Sequence, residues 1–367
     1  MSKPEKHIRE PLFHVVKRGS ISLPKSLAIR VITVVVALLF CALLSYAFIG
    51  SNPFKFLSTI FNGSLGSSRR LWKLTKDSAV LLCIALAVTP AFRMRFWNLG
   101  AEGQVLIGAL ASITCAFYLG GKMPNWALLI VMFVSAVLAG AIWGLFPAIF
   151  KAKWGTNESL FTLMMNYIAT SLVAFCLLEW TKADGSSTLG MLPHGHLPVI
   201  GHEYLLLILV VLLLTALSYI YLNYTKQGYE ISVVGESENT ARYIGINVGK
   251  VVIRTMLVSG ALCGVAGFLI VGALDHSITT MTVGGLGFTA IMVSWLAKFN
   301  PVVMIVTSTL IIFLQQGGSQ ISTEFNISSA FPSVVVGIIL FFIIGCEFFI
   351  NYQIKFRASQ KKGDETK

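Results

Sequence analysis

The chain has 367 residues, of which 55% are hydrophobic and only 12% are charged, and its formal net charge is +12. Soluble domains carry roughly 25% charged residues, so this composition excludes an ordinary soluble enzyme and places the chain in a bilayer. In a membrane protein a basic excess indicates topology before it indicates nucleic-acid binding.

Apolar segments recur from end to end and predict an all-α polytopic membrane protein with about ten spans near the ~20 residues that a bilayer requires. The first is too long for a signal-peptide core, so we expect it to be retained. The eighth and ninth are short and are candidates for broken or re-entrant helices. The spans are Leu27–Ile49, Ala79–Phe96, Leu99–Leu119, Trp126–Phe150, Ser159–Trp180, Tyr204–Tyr221, Thr255–Leu274, Gly285–Leu296, Val302–Gln315 and Phe331–Ile350.

The distribution of basic residues predicts the orientation. A cytoplasmic N-terminus places the tails 1–26 and 351–367 and the loop 225–254 inside, where most Lys and Arg then lie. Residues 27–350 form one transmembrane domain. The exception is the outer loop Gly50–Lys76, which we interpret as an amphipathic segment on the outer surface. Its apolar face would comprise Phe54, Phe56, Leu57, Ile60 and Phe61.

The polar stretch Gly228–Arg254 separates two strongly apolar segments, and its centre has the pattern of a short helix. Ser237 can cap the start, Glu238 lies in the first turn, Arg242 lies near the end, and Gly245 can close the C-terminus. A short helix held between two spans indicates a surface on which a partner protein acts.

Polar residues inside the predicted spans are functional candidates by default. They are mostly neutral amides and hydroxyls, which suit a polar uncharged solute better than an inorganic ion. The alternative for each is a hydrogen bond that holds two helices together. The candidates for a translocation path are Asn98, Glu102, Gln104, Asn166, Tyr167, Thr289, Ser294, Gln315 and Gln316.

Motifs for catalysis and metal binding are absent from the sequence. There is no GxxxxGK[ST], HExxH or GxSxG string, so we expect no catalytic residue and no nucleotide site. The six cysteines lie in apolar runs without ligand spacing, which predicts buried apolar side chains and no metal site. The pairs Gly140 with Gly144 and Gly260 with Gly264 predict close helix packing.

Two helix starts resemble one another. Trp97–Glu102 opens the third span and Gly284–Thr289 opens the eighth, and the predicted topology gives these spans opposite directions. An inverted repeat of five plus five helices would produce this relation, with the path at the repeat interface. Two unrelated glycine-rich helix starts remain the alternative.

Four strings in order carry a resemblance to one family. They are WNLGAEGQVLIGAL (Trp97–Leu110), NESLFTLMMNYIA (Asn157–Ala169), GYEISVVGESENTARYIGINVGK (Gly228–Lys250) and SGALCGVAGFLIV (Ser259–Val271). With them the chain resembles the permease subunits of bacterial ABC importers for nucleosides and ribose-like simple sugars, within the branched-chain amino-acid permease superfamily. The resemblance covers roughly residues 30 to 350.

The resemblance implies a multi-pass protein of the cell membrane that works by alternating access and is not itself an enzyme. It implies a second permease subunit, so that a heterodimer forms, and two ATP-binding subunits that hold ATP and Mg, because this chain would carry no cofactor. It also implies a substrate-binding lipoprotein outside. The residues implied to couple to the ATP-binding subunits are Gly235, Glu236, Ser237, Glu238, Asn239, Arg242, Tyr243 and Gly245.

The alternative function is an ion-coupled secondary transporter of a polar neutral solute. Such a transporter requires an ionisable residue near the middle of the membrane. Glu102 is the candidate for that residue.

Overall fold

The computed structural model describes residues 13–17, 23–50, 52–182, 188–328 and 330–356. The first part of the chain forms strand β1 (Phe13–Lys17) and helices α1 (Leu23–Ile49), α2 (Pro53–Leu65), α3 (Ser68–Arg93), α4 (Ala101–Leu119), α5 (Asn125–Trp154), α6 (Glu158–Thr181) and α7 (Leu205–Tyr224). The second part forms α8 (Lys226–Glu236), α9 (Glu238–Tyr243), α10 (Val248–Ile270), a π-helical turn (Val271–Asp275), α11 (Leu286–Leu296), α12 (Pro301–Glu324), α13 (Phe331–Asn351) and strand β2 (Tyr352–Phe356).

The helical membrane architecture is confirmed. Each predicted span coincides with a helix, and within the described ranges seven helices are long and apolar enough to cross a membrane. The seven are Ser68–Arg93, Ala101–Leu119, Asn125–Trp154, Glu158–Thr181, Leu205–Tyr224, Val248–Asp275 and Pro301–Glu324, and the shorter apolar helices are Ile32–Ala47, Leu286–Leu296 and Phe331–Cys346. The number of ten crossings stays a prediction.

Two details differ from the sequence-based expectation. β1 and β2 pair antiparallel, with Phe13 opposite Phe356, so the chain is not wholly helical. α12 is a long helix that ends at Glu324 and not at Gln315, because its polar second half has partners on α2. Lys55 forms an ion pair of 3.2 Å with Glu324, and Thr59 donates a 3.0 Å hydrogen bond to the same carboxylate.

Contacts divide the chain into two compact units, one of Met1–Gly63 with Leu314–Lys367 and one of Ser64–Phe313. In the first unit α1 packs on α13. The segment predicted to be amphipathic, Gly50–Lys76, contains α2 and the start of α3. Phe56 and Ile60 of α2 are fully buried, whereas Phe54 and Phe61 are exposed. The surface position predicted for all five therefore does not hold, because Ile60 packs on the second half of α12.

The centre of the second unit is α10, which packs against α5, α4 and α3. The predicted small-residue contacts occur at these crossings. Gly260 of α10 faces Gly140 and Ala141 of α5, and a Cβ on Gly144 would lie 3.2 Å from the Gly260 Cα. A Cβ on Gly108 of α4 would lie 2.6 Å from the Gly264 Cα. Glycine is required at these positions because the backbones of α4, α5 and α10 lie so close together that a side chain would not fit between them.

Candidate functional site

The N-terminus of α4 is held by side chains of α6. Thr162 accepts a 3.1 Å hydrogen bond from the Leu99 amide. Asn166 accepts one of 2.9 Å from the Gly103 amide and donates one of 2.9 Å to the Leu99 carbonyl. The first amides of a helix have no partner within the helix, so these side chains act as its cap. Asn166 is therefore an interhelical hydrogen-bonding residue in this conformation.

Asn98 and Gln104 form a second polar pair at the same helix start. The Asn98 amide donates to the Gln104 carbonyl oxygen at 3.2 Å, and the Gln104 amide donates back at 3.3 Å. Asn98 Oδ1 also accepts from the Gly100 amide at 3.0 Å. Both side chains are buried, at 0% and 1% exposure, so neither faces an open path in this conformation.

Glu102 connects α4 to α11. Its two carboxylate oxygens accept hydrogen bonds from the Gly285 amide at 2.7 Å and the Gly287 amide at 2.8 Å. A Cβ on Gly287 would lie 2.5 Å from the Glu102 amide nitrogen, so only glycine allows this approach. The carboxylate thereby caps a helix in another part of the chain and complements the positive end of its dipole.

The two helices leave this junction in opposite directions. α11 ends near the last turns of α3, where the Trp295 ring lies 6.5 Å from the Phe92 ring. α4 ends at Gly120 beside the segment 188–204, and the first turns of α3 contact the same segment through Trp72. The N-termini of α4 and α11 thus meet inside the unit. This meeting point lies about 16 Å from the C-terminal end of α11, which is the length of its 11 residues at the rise of an α-helix.

The remaining path candidates have different surroundings. Ser294 is fully buried and donates a 2.9 Å hydrogen bond to the Ala85 carbonyl of α3. Thr289 is half-buried and bonds to the Gly285 carbonyl of its own helix. Tyr167 is 66% exposed and is the most exposed side chain of this set. Gln315 and Gln316 are half-buried in the other compact unit. A role of these residues in a path stays a prediction.

The sequence analysis did not single out Thr162, which completes the cap of α4. It compared the glycine-rich start Gly284–Thr289 with the start of the third span but did not predict that Gly285 and Gly287 bind Glu102. Gly285 has a φ of +82°, which favours glycine. The aromatic pair Trp97 and Trp295 was also missed. The two rings lie 5.3 Å apart, and each side chain is about half exposed.

The predicted short helix in the polar loop is confirmed as α9. Ser237 caps it by accepting a 3.2 Å hydrogen bond from the Thr240 amide, and Gly245 follows its end with a φ of +84°. Glu238 and Arg242 form an exposed ion pair of 3.7 Å, and Tyr243 is 96% exposed. Every side chain of this helix except that of Ala241 is therefore exposed.

One residue of α9, Ala241, is buried and anchors the helix. It belongs to an apolar group of buried residues, the inner cluster: Ala91, Met94, Phe96, Ala148, Ile231, Val234, Ala241, Val248, Val251, Val252 and Met256. Gly235, before α9, lies against the backbone of Arg93 and Met94. The exposed helix is thus fixed to the end of α3 and the start of α10.

At the opposite end of α4, the segment 188–204 lies along the π-helical turn. Leu192 donates a 2.9 Å backbone hydrogen bond to His276, and Leu197 donates one of 2.9 Å to Gly272. The rings of His196 and His276 stack with centroids 3.8 Å apart. Burial lowers the pKa of His276 below its ordinary value because it disfavours the charged ring, and the neighbouring His196 lowers it further by charge repulsion.

Within the described ranges, no group of three or more His, Cys, Asp or Glu is close enough to hold a metal ion. Each of the six cysteines is a free thiol. The site is built from helix caps, small-residue contacts and one exposed helix.

Comparisons with known proteins find similarity to permease proteins of ABC transporters. The glucose ABC transporter permease of Haloferax volcanii is 27% identical over 85% of this chain and 86% of its own length. The guanosine ABC transporter permease of Bacillus subtilis is 27% identical over 83% of this chain and 88% of its own length. The nucleoside ABC transporter permease of Lactococcus lactis is 25% identical over 94% of this chain and 97% of its own length.

Residues 71–344 match the family described as the permease component of the branched-chain amino acid transport system, which is most of the chain. Together with the apolar helices, this match identifies a multi-pass protein of the cell membrane. The chain belongs to this family of transport permease components.

Proposed function

We propose that the protein is the membrane-spanning permease subunit of an ABC importer and moves a nucleoside, or a related simple sugar, into the cytoplasm. The observation that carries the proposal is the family match over residues 71–344, joined to full-length relatives named for guanosine, nucleosides and glucose. Solute would cross by alternating access.

The proposed complex contains more than this chain. ATP and Mg would bind to two ATP-binding subunits, a second and different permease would complete the membrane part, and a lipoprotein would deliver solute from outside. The exposed α9, fixed to the inner cluster through Ala241, supports a docking surface for an ATP-binding subunit. This chain would hydrolyse nothing.

The proposed topology has both termini, the loop 225–254 and α9 in the cytoplasm, with ten spans arranged as an inverted five-plus-five repeat. The opposite directions of α4 and α11 from their shared junction support such a repeat. Two helix N-termini that meet inside a membrane unit are what broken helices at a repeat interface would produce.

The hydrogen bonds of Glu102 argue against the ion-coupled alternative. The one carboxylate among the path candidates, Glu102, already accepts two backbone hydrogen bonds. A proton or ion relay would require a carboxylate free to exchange partners, so this geometry favours the ABC importer over an ion-coupled transporter.

The experiment measures ATP hydrolysis by this chain co-expressed and purified with its proposed partner subunits and reconstituted in nanodiscs. Solute-loaded binding protein should stimulate hydrolysis, and binding protein without solute should stimulate it less. An ion gradient applied to liposomes that hold this chain alone should drive no uptake. Gradient-driven uptake by the isolated chain would refute the proposal in favour of a secondary transporter.

A further inference from the structure

We propose that Glu102 is a positioning residue that joins α4 and α11 into one moving body, and that the linker 94–100 passes a displacement of α9 to this body. The inference rests on the proposed function, because it assigns a residue to the transmission step of that importer. It differs from the expectation that Glu102 contacts solute.

The first observation is the dependence of α11 on Glu102. The cap residue of α11, Gly285, has no side chain to cap the helix. The Glu102 carboxylate instead accepts hydrogen bonds from the amide of this cap residue and from that of Gly287 in the first turn. Bonds of this kind to an ionised acceptor are about twice as strong as neutral ones. A carboxamide in place of the carboxylate has one acceptor oxygen, and its NH₂ group would face an amide N–H.

The second observation is the fit of the start of α11 against the start of α4. Gly284 and Gly285, just before α11, have φ values of +59° and +82°, which favour glycine. The close approach of Gly287 to the Glu102 backbone leaves no room for relative movement while the hydrogen bonds persist. α11 must therefore follow the start of α4.

The third observation is that the linker 94–100 connects this start to α9. Met94 and Phe96 are buried in the inner cluster that also contains Ala241 of α9. The next residue, Trp97, contacts Trp295 near the end of α11. A force applied to α9 thus reaches both ends of α11, one through the tryptophan pair and one through Glu102.

The test uses the reconstituted complex with two disrupting variants, Glu102→Gln and Gly287→Ala. Each should reduce the ratio of solute-stimulated to unstimulated ATP hydrolysis by about tenfold or more, the loss expected for a charged hydrogen bond. The matched controls are Glu179→Gln, which removes an exposed ion pair with Lys182, and Gly337→Ala, where a Cβ meets nothing within 4 Å. Both should keep the wild-type ratio.

Hydrogen exchange gives a second readout that does not depend on transport. Residues 284–291 should exchange slowly in the resting and nucleotide-trapped wild-type complex and about tenfold faster in Glu102→Gln. A wild-type ratio in both disrupting variants, or unchanged exchange in Glu102→Gln, would overturn the inference. If neither variant assembles, the wild-type complex alone decides. Slow exchange of residues 284–291 in both the resting and the nucleotide-trapped state supports the inference, and fast exchange in either state overturns it.

The two failures are distinguishable. A wild-type complex that solute does not stimulate would overturn the proposed function. A wild-type complex that is stimulated, with variants that are stimulated equally, would overturn only the role of Glu102.

Discussion

Gly264 lies where α10 crosses close to α5. A Cβ there would meet the Ala136 carbonyl of α5 and lie 2.8 Å from its carbon. We predict that Gly264→Ala destabilises the protein by ~1–3 kcal/mol, the usual result of overpacking. The measurement is the melting temperature of the detergent-solubilised chain, with Gly337→Ala as the control. Equal melting temperatures of the two variants would contradict the packing described here.

Asn166 supplies both a donor and an acceptor to the start of α4. Asn166→Leu would leave a backbone N–H and a C=O unpaired, and we predict a loss of about 1–3 kcal/mol for each buried group. The adjacent Tyr167 is exposed, so Tyr167→Phe should keep the melting temperature of the wild type. A larger loss of stability in Tyr167→Phe than in Asn166→Leu would show that the cap is assigned to the wrong residue.

Residue types in the spans predicted where polar side chains would matter, but not what they would do. Asn98, Glu102 and Gln104 could each be interpreted from the sequence as a path residue or as a residue that holds helices together. The structure gives all three bonded partners at helix starts. Asn98 and Gln104 bond each other, whereas the partners of Glu102 are the amides of Gly285 and Gly287, and no local pattern specifies that distant contact.

At the scale of elements, α9 is the clearest case of a segment whose exposed side chains contribute little to stability. The Glu238–Arg242 pair is exposed on both sides, and such pairs contribute about 0–1 kcal/mol. We therefore predict that Arg242→Ala leaves membrane insertion intact and abolishes solute-stimulated ATP hydrolysis. We expect the same result when Glu236 and Glu238 are both replaced. Lys250→Ala, at the exposed start of α10, is the control. Unchanged stimulation in the α9 variants would remove α9 from the mechanism.

The segment 188–204 is predicted to weaken in acid. The lowered pKa of His276 means that the neutral ring is favoured in the folded segment. The stability that the neutral His276 ring contributes to the folded protein is fully present above the ordinary histidine pKa of about 6.5. It is lost as the pH falls through the lower pKa of the folded state. The wild-type melting temperature should thus fall more than that of His276→Gln between about pH 7 and pH 5. Parallel pH profiles of the two proteins would contradict this.

Hydrophobicity predicted which segments of the chain form helices. Some helix ends, in contrast, are determined by contacts with other helices and could not be predicted. The apolar part of α12 was predicted, but its polar second half is helical because Lys55 and Thr59 of α2 bind Glu324. The helix α9 was predicted closely, since Ser237 and Gly245 are local signals. Local caps are visible in sequence, and caps supplied by another helix are not.

At the scale of the whole molecule, the membrane fold and the permease family were predictable because composition and four ordered strings determine them. The solute was not, since the polar groups near the junction are mostly satisfied by each other. Specificity of the proposed importer would therefore depend largely on the binding protein, with exposed residues such as Tyr167 as minor contributors.

The central claim is that this chain is required for import of a nucleoside or simple sugar. The most direct measurement is uptake of labelled guanosine, adenosine, uridine, ribose and glucose by cells that express the complete operon, with and without this subunit. The account predicts that removal of the subunit abolishes uptake of a nucleoside or of one of the sugars, and that the intact gene restores it. Undiminished uptake of all five solutes without the subunit would contradict the account.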